Sequence, residues 1–140
     1  MPPGRVSATR SRIMAAIRGK DTQPELRVRR AVHAAGLRFR LHRRDLPGSP
    51  DLVLASLRSV VFVHGCFWHR HSCQGTKWPK TRAAFWRKKI ETNVARDVRV
   101  RYFLRAAGWH VHVLWECELR KGRALARLVR TLRARRDRLA

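Results

Sequence analysis

Two short runs in the middle of the chain, Asp51-Leu-Val-Leu-Ala55 and Val60-Val-Phe-Val63, carry almost no polar side chain. Runs this short and this apolar read as strands at the buried centre of a sheet, joined here by a polar four-residue turn. The flanking segments supply what must cover them. Ser7, Thr9 or Ser11 caps a short helix through Ile17. Thr22-Gln-Pro-Glu25 has the form of a capping box with Pro24 in the first turn, and opens a helix that buries Val28, Ala31, Val32 and Ala35 before stopping at Gly36. Leu37 to His42 alternates with period two, as a half-buried strand does, and Leu46-Pro-Gly-Ser-Pro-Asp51 is turn chemistry. Arg82–Ala107 reads as a long helix with Trp86, Ile90 and Val94 on one stripe, ended by Gly108. Trp109–Trp115 alternates again, and a basic helix runs from about Gly122 to Leu139. The order predicts one α/β domain over residues 1–140, a central mixed sheet flanked by helices, with residues 1–6 a loose basic tail.

Charge limits the partner. Thirty-three Lys and Arg against nine Asp and Glu give +24, a field best matched by a polyanion such as a phosphate backbone. Arg outnumbers Lys 27 to 6, so part of this charge is a preference for arginine on solvated faces. A membrane is a poorer match, because no segment pairs a basic face with a broad apolar one. No run is long enough to cross a bilayer and the N-terminus has no apolar leader segment, so the cytoplasm is the expected compartment. Three cysteines, an odd number, fit a metal site in a reducing compartment better than a disulfide framework.

Four constellations carry chemistry. Cys66-Phe-Trp-His69-Arg-His71-Ser-Cys73, with the distant Cys117, can supply four ligands to a tetrahedral zinc. The alternatives are a Cys66–Cys73 disulfide or buried free thiols, and spacing does not choose between His69 and His71. Asp51, where a turn enters a central strand, can offer a carboxylate to Mg2+, although an Asx turn would use it as well. Glu25 is either a supporting acid or simply the capping-box glutamate. Among His64, His69 and His71, a neutral imidazole can take a proton from water attacking phosphorus. Phe67-Trp68, with Trp86 and Met14, can wedge between base steps, which is cheapest at a mismatch; core packing is the competing use of Trp86 and Met14.

Phe62-Val-His-Gly-Cys-Phe-Trp-His69, then His71, Cys73, Trp86, Asn93-Val-Ala-Arg-Asp97 and Trp115-Glu-Cys117, resembles the very short patch repair (Vsr) endonucleases. Thr9-Arg-Ser before Met14, Asp21-Thr22 through Glu25, and Leu46-Pro-Gly-Ser-Pro-Asp51 match the same family in order. The resemblance implies a restriction-endonuclease-like α/β fold with a structural zinc site. It implies a Mg2+-dependent, strand-specific enzyme that nicks double-stranded DNA 5′ of the thymine in T·G mismatches left by 5-methylcytosine deamination. Asp51 and the main-chain carbonyl of Val63 would hold Mg2+, as one ion or two. His69 would be the general base, with Glu25 and His64 acting around it. Zinc would sit on Cys66, His71, Cys73 and Cys117. Phe67, Trp68 and Trp86 would wedge from the major groove and Met14 from the minor groove, with Lys89 and Asn93 on the DNA-facing helix. Most restriction-like nucleases carry Glu-x-Lys where Phe62-Val-His64 stands here. The expected setting is a bacterial, nucleoid-associated monomer, with room for mismatch-repair and polymerase partners. Two rivals remain: a zinc-stabilised binding module without cleavage, and a nickase of other specificity.

Overall fold

The computed structural model describes residues 22–66, 68–69, 71, 73 and 81–140. The basic tail, the helix expected before Ile17, Met14 and Phe67 lie outside the described residues.

Helix α1 is Gln23–Ala34. Thr22 Oγ1 accepts the Glu25 N–H at 3.3 Å, one of the bonds a capping box provides. Val28 and Val32, one turn apart, are fully buried beneath it. The helix ends because Gly36 takes a left-handed conformation (φ +76°), which lets the Leu37 N–H close on the Val32 carbonyl at 3.3 Å.

Four strands follow the expected order: β1 Arg40–Leu41, β2 Leu52–Leu54, β3 Ser59–His64 and β4 His110–Trp115. They line up β1-β2-β3-β4, with β1–β2 and β2–β3 antiparallel and β3–β4 parallel, so the sheet is mixed as expected. A parallel pair needs a long crossover, and helix α2, Ala83–Ala106, provides it. Gly108 (φ +89°) stops α2 as Gly36 stops α1, the Trp109 N–H reaching the Leu104 carbonyl at 3.0 Å. A four-residue helical turn, α3 (Glu116–Leu119), continues directly from β4, and α4, Arg123–Leu139, closes the chain. The turn α3 was not legible in the sequence.

Side chains of the inner strands alternate between two cores. Leu52, Leu54, Val61 and Leu114 pack on one face against Val28 and Val32 of α1 and Leu128 and Leu132 of α4. Val53, Val60 and Phe62 pack on the other against Leu104 and Trp109, with Val100 of α2 at the margin. The result is a three-layer α/β/α arrangement, the restriction-endonuclease-like architecture expected. Each fully buried Val or Leu in these layers contributes about 1.5–3 kcal/mol. The strand expected over Leu37–His42 forms a ladder only at Arg40–Leu41. Leu37 is buried and Phe39 packs on the first core, but β2 offers just Leu52 and Val53 as partners, so the chain peels away and Leu41 is exposed.

Since β2 runs against β3, the start of β2 lies beside the end of β3; since β4 runs with β3, its end lies there too, His64 opposite Trp115. One end of the sheet therefore gathers Asp51, His64, Trp115 and the loop after β3. Among the described residues no helix is long and apolar enough to cross a membrane.

Candidate active site and metal centre

Asp51 reaches the end of β3 through the antiparallel turn. The Val63 N–H donates to Asp51 Oδ2 at 2.6 Å. The amide and carbonyl of one strand residue point to the same edge, so the Val63 carbonyl faces the Asp51 side as well. Glu25, 1% exposed, brings a second carboxylate from the first turn of α1, and His42 brings an imidazole from the loop after β1; donor atoms of the three lie within 4.8 Å of one another. Of the two readings open in the sequence, the Glu25 side chain favours the supporting acid: its carboxylate lies with Asp51 and His42, while the Thr22 cap uses only its backbone N–H. Arg29 Nη2 sits 3.1 Å from Glu25 Oε2 and 3.0 Å from His42 Nε2. Burial pushes the Asp51 carboxyl up to about 8, and the charge and hydrogen bond of Glu25 add to the rise, while the Val63 N–H and Arg29 work against it. Two buried carboxyls that cannot both ionise comfortably form a donor set suited to a hard divalent cation.

The second cluster hangs from the next residue of β3. His64 is 5% exposed and its ring stacks on His69 with centroids 3.8 Å apart and planes 4° from parallel. His69 is set in a turn by its N–H to the Gly65 carbonyl, and its Nδ1 meets Asp97 Oδ2 of α2 at 2.5 Å. With the carboxylate accepting, Nδ1 carries the proton and Nε2 is left with its lone pair, the form a base requires. Asp97 was missed as a site residue, although it closes the Asn93–Asp97 motif and is one of only nine acids. Burial, then the neighbouring His69, pushes His64 down to about 4, with Asp97 pulling the other way. His64 is therefore neutral, and its buried Nδ1 has no hydrogen-bond partner among the described residues.

Among the described residues no disulfide joins Cys66, Cys73 or Cys117. Donor atoms of Cys66, His71, Cys73 and Cys117 gather within 4.8 Å. His71, not His69, belongs to this set: Cys117 Sγ lies 3.4 Å from His71 Nδ1, close to the edge of about 3.5 Å that a tetrahedron with zinc–sulfur and zinc–nitrogen bonds requires. The unforeseen turn α3 is what swings Cys117 towards the loop. Burial, with the adjoining Cys73 and Cys117, raises the Cys66 thiol to about 12, so a cation is needed to draw its proton off. The Trp115 ring stacks on His71 at 4.3 Å and meets His64 edge-on at 5.1 Å, tying the two centres together.

Trp68 and Trp86, both half-buried, meet edge to face at 5.5 Å, and Lys89 Nζ stands 5.6 Å from the Trp68 ring. Asn93 Nδ2 donates to the Trp68 carbonyl at 3.3 Å, so it fastens the loop to α2. Exposed Phe85 extends the row, edge-on to Trp86 at 5.2 Å and covered by the Arg82 guanidinium at 4.2 Å; it was not singled out from the sequence.

A model of the DNA mismatch endonuclease Vsr family matches residues 6–75. The type II nicking enzyme V.XorIIP of Xanthomonas oryzae is 53% identical over 82% of this chain and 85% of its own length. The DNA mismatch endonuclease Vsr of Escherichia coli is 48% identical over 81% of this chain and 72% of its own. The type II nicking enzyme V.NmeAIP of Neisseria meningitidis is 41% identical over 86% of each.

The neutral His64 has a measurable consequence. In the unfolded chain it takes a proton near pH 6.5, but in the fold only near 4. The unfolded state binds more protons in that window, so this contribution is complete above about 6.5 and is lost as pH falls towards 4. Asp51, with its raised value, works in the opposite sense, so the comparison must isolate His64. Denaturant titrations between pH 7 and 4 should show wild type losing up to about 3 kcal/mol relative to His64→Gln. Equal slopes for the two proteins would refute this account.

Proposed function

Because this chain belongs to the Vsr family of DNA mismatch endonucleases, we propose that it nicks double-stranded DNA on one strand, 5′ of the thymine in T·G mismatches arising from 5-methylcytosine deamination. The family makes it a DNA nuclease. The observation that most supports the cutting reaction is the His69–Asp97 bond beside the Asp51–Glu25 pair, a pre-set base next to a candidate cation site.

His69 Nε2 takes a proton from the attacking water, and Asp97, accepting from Nδ1, orients the ring and stabilises the imidazolium that forms. The water oxygen bonds to phosphorus as the bond to the 3′ oxygen breaks and that oxygen takes a proton from solvent water, leaving a 3′ hydroxyl and a 5′ phosphate. Neutral His64, stacked on His69, keeps that ring in plane and excludes water from one side. Glu25 orients the attacking water from the Asp51 side. Asp51 and the Val63 carbonyl would hold Mg2+, one ion or two, whose charge would stabilise the phosphate as negative charge builds on it. Cys66, His71, Cys73 and Cys117 would hold a structural zinc that fastens the loop after β3 to α3. Trp68 and Trp86, with Phe67 and Met14, wedge the mismatch open, and Lys89 meets a phosphate. The protein works as a one-domain monomer in the bacterial cytoplasm, at the nucleoid, and hands a nick to mismatch-repair proteins and a polymerase.

End-labelled duplexes, T·G mismatched or fully matched, give the direct test. A nick on the thymine strand of the mismatch alone is expected, abolished by EDTA and by Asp51→Ala. Equal nicking of matched DNA would leave a nuclease without mismatch specificity, and tight binding without cutting would leave a binding module. Asp97→Asn should lower kcat about 10²–10⁴-fold with little change in KM, because an amide can hold the ring in the wrong tautomer; an unchanged kcat would remove Asp97 from the reaction. Cys117→Ser should lose its equivalent of zinc and melt well below wild type, since a structural zinc contributes to folding directly. Full zinc content with an unchanged Tm would discard the zinc assignment.

A further inference from the structure

The cation site contains a nitrogen donor that the proposed mechanism does not use. We propose that His42 is a ligand of the divalent cation held by Asp51 and Glu25, and that it shifts this site's preference from Mg2+ towards first-row transition cations such as Mn2+. The inference rests on the reading of Asp51 as a cation ligand.

The backbone at His42 is held in the left-handed region (φ +48°), uncommon for a residue with a side chain, at the point where the chain leaves β1. That bend carries the ring from the sheet edge to the foot of α1, where Nε2 lies 3.7 Å from Glu25 Oε2. Arg29 Nη2 stands 3.0 Å from the same nitrogen. A guanidinium only donates, so Nε2 must be the acceptor and the ring proton is on Nδ1. The nitrogen that faces the carboxylates is therefore the unprotonated one, its electron pair engaged by Arg29, and imidazole binds a metal through such a nitrogen. Arg29 also marks the place as one that attracts positive charge, since its guanidinium bridges His42 and Glu25. It can keep Glu25 while yielding His42 Nε2. The His42 side chain is 24% exposed, against 2% for Glu25, so the imidazole forms the open side of the cage, through which an ion enters. All-oxygen donors suit both Mg2+ and Mn2+, but Mg2+ takes nitrogen poorly whereas Mn2+ and Co2+ accept an imidazole, so a histidine among the oxygens favours them over Mg2+.

The test uses the full zinc-loaded chain with Mn2+ added alone. Pulsed EPR should detect a directly bonded nitrogen on the bound Mn2+, and that coupling should vanish in His42→Gln, which keeps a polar group towards Arg29. The free Mn2+ signal should show affinity falling about tenfold or more in the variant, while Mg2+, read by competition, loses less. A wild-type spectrum with no nitrogen coupling, or coupling that survives His42→Gln, overturns the inference; the wild-type spectrum decides even if the variant folds poorly. Mn2+ that binds, is lost in Asp51→Ala and shows no nitrogen defeats His42 alone. A chain that binds no Mn2+ defeats the Asp51 reading as well.

Discussion

Strand β3 is hydrogen-bonded along both edges and covered on both faces, and that double enclosure governs everything built at its end. A slip of one residue would turn Val60 and Phe62 from the α2 side to the α1 and α4 side and Val61 the other way, emptying both cores at once. The register is therefore held by the packing of the whole molecule. Consecutive residues leaving the strand inherit it: the Val63 amide binds Asp51, His64 stacks on His69, the Gly65 carbonyl anchors His69, and Cys66 enters the thiol cluster. Two chemically different centres are fixed by one strand.

Acids are scarce in a chain of net charge +24, and three of the nine, Glu25, Asp51 and Asp97, stand in the site. Their effects differ because their neighbours differ. Asp97 meets a histidine and orients it. Asp51 meets Glu25 in a desolvated place, and burial, with the charge of Glu25 added to it, holds its carboxyl up near 8. The positive field that suits a phosphate backbone also makes such a pocket attractive to anions, so a cation there would have to be held locally, by donors only the fold brings together.

Helix α2 links these parts. It buries only Ile90 and Leu104 deeply, yet along it Trp86 meets Trp68, Asn93 holds the Trp68 carbonyl and Asp97 holds His69. Its weak amphipathic pattern follows from that division of labour: a helix that packs with one stripe and positions loop residues with another has no single apolar face. The sequence stripe Trp86–Ile90–Val94 was legible, whereas the role of Asp97, the last residue of the Asn93–Asp97 motif, was not, because its partner lies 28 residues away.

Period and punctuation, which are local properties, were readable from the chain alone. The apolar runs at Leu52–Leu54 and Val60–Val63, the Thr22 cap, and the stops at Gly36 and Gly108 all stand where backbone preference puts them. Composition likewise pointed to an anionic partner, and the His-Gly-Cys-Phe-Trp-His string to a family. Contacts between distant segments were beyond it. Whether His69 or His71 joins the thiols depends on α3 carrying Cys117 to His71, and the role of Glu25 depends on α1 docking beside Asp51. His42 gave no signal, since a histidine at the end of an edge strand looks like any other until the left-handed bend delivers it to two carboxylates. Sequence determines which groups can do chemistry and the local backbone each prefers; tertiary packing alone decides which of them share a few ångströms of desolvated space, and there their protonation and ligand roles are set.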